Sequence, residues 1–325
     1  TVSTMTMSEC AAWLQEHDNF CILTHARPDG DTIGSTAALC RILRNMGKTA
    51  HVLENNQVTP RYRWLHEGLT KPEAEAGDTL ITVDVASPGM LSAQFEKYLG
   101  RIALRIDHHA SATSFTEQEL VDSGAGACAE IIFDLMEHLW VTMDADIANA
   151  IYVGTSTDTG CFRFSNTTSH TFITAAACAA AGAKVYQLNQ ELFETNTLGR
   201  LRIQGWIVDN MKVFSDGKLA VVAIPKSVEE AIGVTEDDMD NISSFPRTVA
   251  GVCMAATLRE TKDGTVKLSV RAIPGFDATI VTGAFGGGGH KGAAGATLKM
   301  QLTEAAEAVE KAMLNIQCKM QSAKF

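Results

Sequence analysis

His25-Ala26-Arg27-Pro28-Asp29-Gly30-Asp31, Asp84, Asp107-His108-His109 and Asp158 are the residues of this chain best suited to chemistry. Imidazoles and carboxylates together make a ligand set for divalent metal ions. Three metal-competent residues stand in a row at 107–109, directly after residues 101–106, which read as a buried strand. His25, Asp29 and Asp31 share a segment that passes Pro28 and Gly30, both turn formers. A turn can send alternate side chains into different coordination shells, so Asp29 and Asp31 need not serve one ion. Asp84 ends the apolar run 80–83, a place from which one carboxylate can bridge two ions. Asp158 sits in the small, hydroxyl-rich stretch 154–160. Together these residues suffice for two divalent ions.

Each element alone has a plainer account. Asp-Gly-Asp is common in turns, a strand-end Asp often closes a turn, and 154–160 reads as a loop after a helix. Two adjacent histidines behind a buried strand are harder to explain as core. One of them would bind metal, the other would face substrate, and Asp107 would hold an imidazole tautomer. Arg163 lies close enough in sequence to Asp158 to meet a phosphate.

The elements that must position these groups alternate. Helices are expected over 7–17, 34–46, 124–140 and 145–153, and strands over 20–24, 50–53, 79–83 and 101–106. That order argues an α/β domain with a mainly parallel sheet flanked by helices, whose ligands gather at the carboxyl ends of the strands. Further helices are expected over 168–181, 184–193 and 197–214. The remainder is a smaller α/β domain, with strands over 218–224, 251–259 and 266–272 and helices over 277–285 and 303–316. Lys262-Asp263-Gly264 signals a hairpin between the last two strands. The expected division is a first domain over 1–190, a helical linker over 191–212 and a second domain over 213–325.

Gly286-Gly287-Gly288-Gly289-His290 is the fifth chemical element. No packed helix or strand needs four consecutive glycines, so the run is expected to let backbone approach a ligand. Exposed amides of Gly287, Gly288 and Gly289 would form an anion nest, with donors from His290 and Lys291. Arg271, near a strand end, is a phosphate or base partner for the same purpose.

The chain has 325 residues and a net charge of −11, with 46% hydrophobic and 20% charged residues. That length suits two globular domains. Such acidity is a poor match for long duplex nucleic acid, which calls for a wide basic face. A small phosphorylated ligand held by local cations and metals remains compatible. No apolar run approaches the roughly 20 residues of a membrane span, and no signal peptide is expected. Eight cysteines without a C-x-x-C pair, several in apolar patterns (Cys21, Cys40, Cys178, Cys253), read as reduced core residues and point to the cytoplasm.

In this order the motifs resemble the DHH/DHHA1 phosphoesterase superfamily. His25 to Asp31, Asp84, Asp107-His108-His109 and Asp158-Thr159-Gly160 are similar to its first four motifs, and Phe285 to Gly295 to its glycine-histidine motif. The resemblance covers nearly the whole chain and is nearest to the compact bacterial oligoribonuclease (nanoRNase) and pAp phosphatase type. It implies two domains across a cleft and two divalent ions, manganese in most members. One ion would rest on His25, Asp29 and Asp84, the other on Asp31, Asp84, His108 and Asp158. It implies that His109 contacts the scissile phosphate or protonates the leaving oxygen, supported by Asp107, and that Arg271 and His290 bind a terminal phosphate or base. Implied substrates are short RNA oligonucleotides, linear dinucleotides such as pApA and pGpG, and pAp. The competing readings are a catalytically silent nucleotide-binding protein and another hydrolase of the superfamily, such as a single-strand exonuclease. A homodimer is one assembly that apolar surface on the first domain's helices would permit.

Overall fold

The computed structural model describes residues 3–109 and 113–322. The chain divides into two compact units between Thr195 and Asn196. The first contains β1 (Ser3–Thr4), α1 (Met7–Glu16), β2 (Phe20–Leu23), α2 (Gly30–Asn45), β3 (Ala50–Leu53), β4 (Thr70–Lys71), β5 (Thr79–Val83), β6 (Ile102–Asp107), β7 (Gln118–Val121), α3 (Cys128–Leu139), α4 (Ala145–Asp158), α5 (Ser169–Ala180) and α6 (Val185–Asn189). Its seven strands run in the order β1-β7-β6-β5-β2-β3-β4, and every pairing is parallel.

Phe20, Cys21, Ile22 and Leu23 are all fully buried, as a strand covered on both faces requires. Phe20 and Ile22 pack with α1 to α4 in the main core. Cys21 and Leu23 pack on the opposite face against Leu91, Phe95 and Tyr98. That second face is covered by the 3₁₀ segments Pro88–Met90 and Ala93–Arg101.

From β2 the sheet first grows toward β3 and β4. The chain then returns to lay β5, β6 and β7 on the other side of β2. Strand order therefore reverses between β2 and β5, the place where open parallel sheets collect ligands beyond their carboxyl ends. His25 follows β2, Asp84 follows β5 and Asp107 closes β6, so the reversal gathers all three segments.

The second unit contains α7 (Leu198–Asn210), β8 (Lys212–Phe214), β9 (Leu219–Ile224), α8 (Lys226–Ile232), β10 (Met254–Glu260), β11 (Val266–Ala272), α9 (Ala278–Gly283), β12 (Gly288–His290), β13 (Ala293–Leu298) and α10 (Leu302–Ser322). Its sheet runs β12-β13-β11-β10-β9-β8. Only the β9–β10 pairing is parallel; the β10–β11 hairpin expected at 262–264 is present.

Several boundaries differ from expectation. Helix α2 starts at Gly30 rather than 34, because Asp29 caps it by accepting from the amides of Asp31 and Thr32. Asp31 is therefore helical, not part of a turn. Helix α4 continues to Asp158 rather than ending at 153. Helix α3 starts at Cys128 rather than 124, and 212–214 form β8 instead of ending a helix. The glycine run is partly strand: β12 pairs with β13 through Gly288, Gly289 and His290. Gly287 is required there because a Cβ would lie 2.2 Å from the Gly295 carbonyl oxygen. Cys253, expected in the core, is half-buried.

Candidate metal centre

Asp31 lies in the first turn of α2, with its carboxylate at the N-terminus of α3. Its Oδ2 accepts from the Cys128 amide at 2.6 Å, and its Oδ1 accepts from Ala129 N and Ser35 Oγ at 3.0 Å each. Helix N-terminal amides and their dipole favour an anion there. Asp84 leaves β5 with φ +62°, a left-handed conformation that costs about 1 kcal/mol for a side-chain-bearing residue. Thr32 Oγ1 donates to its Oδ2 at 2.5 Å, while the buried Oδ1 has no hydrogen-bond partner among the described residues. Asp158, at the end of α4, accepts from Asn166 Nδ2 at 3.2 Å.

The histidines complete the cluster. His25 directs Nδ1 to the Ala26 carbonyl at 2.7 Å, leaving Nε2 at 3.8 Å from Asp29 and 3.9 Å from Asp84. His108 directs Nδ1 to the Ala125 carbonyl at 3.2 Å. Its Nε2 faces Asp31 at 3.7 Å, Asp84 at 3.6 Å and Asp158 at 3.7 Å. In both rings the backbone contact fixes the tautomer and leaves Nε2 free as a ligand. His109 Nδ1 is 3.6 Å from Asp84 Oδ1 but donates to Asp107 Oδ1 at 2.7 Å. That hydrogen bond commits His109 to Asp107 rather than to the Asp84 side.

The cluster thus divides into His25–Asp29–Asp84 and Asp31–His108–Asp158, with Asp84 also beside His108 and His109. Its chemistry fits a cation. Burial first, then repulsion from Asp31 and Asp29, pushes the Asp84 carboxyl well above its ordinary range. Burial and then Asp31 push Asp158 from 3.8 to about 7, against the opposing pull of His108. Burial likewise raises Asp31. These acidic and imidazole groups can hold metal, and a divalent ion would supply the positive charge that the carboxylates lack.

Carboxyls whose folded pKa is raised favour folding when protonated, and that contribution is lost as pH rises through the folded value. Metal-free protein should therefore lose thermal stability between about pH 4 and pH 7, the window set by Asp158. Added manganese should reverse most of the loss, because ligands bind metal deprotonated. Melting curves in chelator from pH 4 to 8, with Asp158→Asn as control, check this. A wild-type curve no steeper than that of Asp158→Asn contradicts it.

The remaining expected site residues are not members of these ligand groups. Arg163 is exposed just past α4, its Nε donating to the Gly160 carbonyl at 2.6 Å. On the second unit, Arg271 pairs with Ala293, and Ala293 pairs with His290. Residues opposite one another on antiparallel strands share a face. Arg271 and His290 therefore flank a small residue on one face, roughly 10 Å apart. Arg271 is half-buried, and His290 is exposed with Gly288 and Gly289. A cavity of about 700 Å³ lies beyond β3 and β4, lined in part by Asn55, Trp64 and Gln94. It contains none of the cluster residues, although Asn55 donates to the His25 carbonyl at 2.9 Å.

Thr32, Ser35 and Asn166 were not legible as site residues, since a hydroxyl or amide becomes a positioning group only once its neighbour in space is known. Arg105 did leave a signal: it is a charged residue inside an otherwise buried strand.

A parallel sheet with a His- and Asp-rich, metal-competent cluster at its strand-order reversal defines a class of metal-binding α/β protein. The chain belongs to the DHH/DHHA1 phosphoesterase superfamily: residues 19–155 match the DHH family N-terminal domain, and residues 216–315 match the DHHA1 domain. It is 32% identical to the bifunctional oligoribonuclease and PAP phosphatase NrnA of Thermus thermophilus, over 90% of this chain and 88% of that protein. Among solved structures it is similar to an exopolyphosphatase-related protein from Bacteroides fragilis, with TM-score 0.85, 22% identity and coverage of 97% of both chains. It is also similar in fold to RecJ of Thermus thermophilus, solved in complex with Mn²⁺, with TM-score 0.56 and 16% identity over 98% of this chain and 55% of that one. No helix among the described residues is long and apolar enough to cross a membrane.

Proposed function

We propose that this protein is a manganese-dependent two-metal phosphoesterase. It hydrolyses short oligoribonucleotides or linear dinucleotides such as pApA and pGpG to mononucleotides, and pAp to AMP. The observation that carries the reading is the position of His108 Nε2, 3.6–3.7 Å from carboxylates on three separate elements. The similarity to NrnA supports the substrate class. The carboxylate-rich donor set admits manganese.

His25, Asp29 and Asp84 would hold one ion, and Asp31, Asp84, His108 and Asp158 the other. When bound, a pair of divalent ions offsets negative charge on the phosphoryl oxygens and provides a nucleophile from water at neutral pH. The chain's own residues do the rest. Asp107 accepts from His109 Nδ1, and in the doubly protonated ring the Nε2–H would hand a proton to the departing nucleoside oxygen, leaving the neutral Nδ1–H tautomer. Arg163 contacts a substrate phosphate. On the second unit, Arg271, His290 and the Gly287-Gly288-Gly289 backbone bind a terminal phosphate or base. The charge of −11 favours short substrates over long duplexes. A cytoplasmic location agrees with the buried free thiols of Cys10, Cys21, Cys40, Cys128 and Cys178. Exposed Phe172 and Ile173 on α5 are compatible with a homodimer.

Parallel rate measurements on pApA, pGpG, two-to-five-residue RNA and pAp test this. With manganese, each cleaved substrate should release mononucleotide, or AMP from pAp, and chelator should stop the reaction. Nucleotide-induced thermal stabilisation without turnover under manganese, magnesium, cobalt or zinc would establish the silent binder instead.

A further inference from the structure

Behind the Asp107-His108-His109 triplet lies a buried charge system that metal binding does not need. Arg105 is 2% exposed and stands two positions before Asp107 on β6, so both side chains leave the same face of the strand. The β6–β7 register places Glu119 directly opposite Arg105. Arg105 Nη1 donates to Asp107 Oδ2 at 3.2 Å and to the Ala86 carbonyl at 3.3 Å, and Nη2 donates to Glu119 Oε2 at 2.9 Å. Glu119 is held in turn by Ser114 Oγ at 3.0 Å and the Phe115 amide at 3.3 Å. The Phe115 ring lies 5.6 Å from the guanidinium.

This arrangement divides the labour of the Asp107 carboxylate. Oδ2 is taken by Arg105. Oδ1 is left for the His108 amide at 2.9 Å, the His109 amide at 3.3 Å and His109 Nδ1 at 2.7 Å. With Oδ2 held by Arg105, Oδ1 is turned toward these three donors.

We propose that Arg105, itself oriented by Glu119, is a positioning residue for catalysis: it locks the Asp107 rotamer so that His109 keeps a proton on Nδ1 and turns Nε2, the donor nitrogen when the ring is doubly protonated, toward the reacting phosphate. The proposal rests on the phosphoesterase reading for its activity readout. A buried ion pair of this kind is often replaceable by apolar side chains without loss of stability, so its charges can be removed together to test a directional role. Arginine suits it because one planar fork reaches two carboxylates, which the single ammonium of lysine does not.

The test is the double variant Arg105→Met/Glu119→Leu, which removes both charges together. The proposal expects kcat to fall by about 10- to 100-fold, the usual effect of losing a group that orients a metal-site residue. KM should stay within about twofold, and adding Asp107→Asn should cost little more, since the residues act as one unit. In ¹⁵N spectra of metal-free protein, His109 should lose its Nδ1-protonated tautomer. A folded double variant with wild-type kcat and tautomer overturns the proposal. Should that variant fail to fold, Arg105→Lys decides: reduced kcat at unchanged KM supports positioning, and a wild-type rate overturns it. If the wild-type chain hydrolyses no phosphate ester, the functional reading fails, while the tautomer comparison still tests the positioning role.

Discussion

Asp84→Asn should lower kcat by roughly 10³-fold or more while making the metal-free protein more stable. The two effects share one cause. Asp84 is the carboxylate common to the His25 and His108 sets, at 3.9 Å from one imidazole and 3.6 Å from the other. Its Oδ1 is buried without a hydrogen-bond partner among the described residues. With metal present, loss of its charge weakens the placement of both ions. Metal stabilisation of developing phosphoryl charge is worth several kcal/mol, and about 1.4 kcal/mol corresponds to tenfold in rate. Without metal, Asp84 is a buried acid whose ionisation is opposed by burial and then by Asp31 and Asp29. An amide of the same shape removes that conflict and keeps an oxygen for Thr32 Oγ1. Rate measurements, calorimetric metal counting and melting in chelator give the three readouts. Near-normal turnover with two ions bound would remove Asp84 from the centre of the site.

The strand-end positions of His25, Asp84 and Asp107 were legible because each follows an apolar run, and runs buried on both faces announce parallel strands. Secondary structure around the other ligands was misleading. Gly30 and Asp31 carry turn signals, yet they open α2. Gly30 is needed there because a Cβ would fall 2.3 Å from Thr157 Oγ1, a contact between segments far apart in sequence. Residues 154–158 were read as a loop for their small side chains, but smallness there serves helix packing. Strand β7 was missed because Glu119 breaks the apolar pattern, and Glu119 is tolerated only because the β6 register supplies Arg105. The glycine run was read wholly as a ligand-facing loop, whereas Gly287 and Gly289 pack closely on β13. In each case local composition was compatible with two structures, and a partner distant in sequence decided between them.

That dependence on distant partners sets the second large effect, at Gly34. Helices α2 and α4 meet where a Cβ on Gly34 would lie 2.3 Å from the Ala150 carbonyl oxygen and 2.8 Å from the Gly154 amide nitrogen. Both obstacles are helix backbone and cannot rotate away. On helix propensity alone, Gly34→Ala would gain about 1 kcal/mol. Overpacking of this kind costs about 1–3 kcal/mol and sometimes more, and contact with backbone places it at the upper end, so the loss wins. At about 2–4 °C per kcal/mol for a domain of this size, a net loss near 2 kcal/mol lowers Tm by roughly 4–8 °C. The consequence reaches the site. Asp31 lies one turn before Gly34 on α2, and Asp158 one turn after Gly154 on α4. The helix contact therefore sets the spacing of the two carboxylates that face His108 Nε2 at 3.7 Å. Gly34→Ala should weaken metal binding at the Asp31–His108–Asp158 set beyond what its Tm loss explains. Gly205→Ala on α7, where a Cβ meets nothing within 4 Å, should leave both Tm and metal affinity unchanged or slightly improved. Equal melting temperatures and equal metal titrations for the two variants would show that close approach of α2 and α4 does not hold the ligand set together.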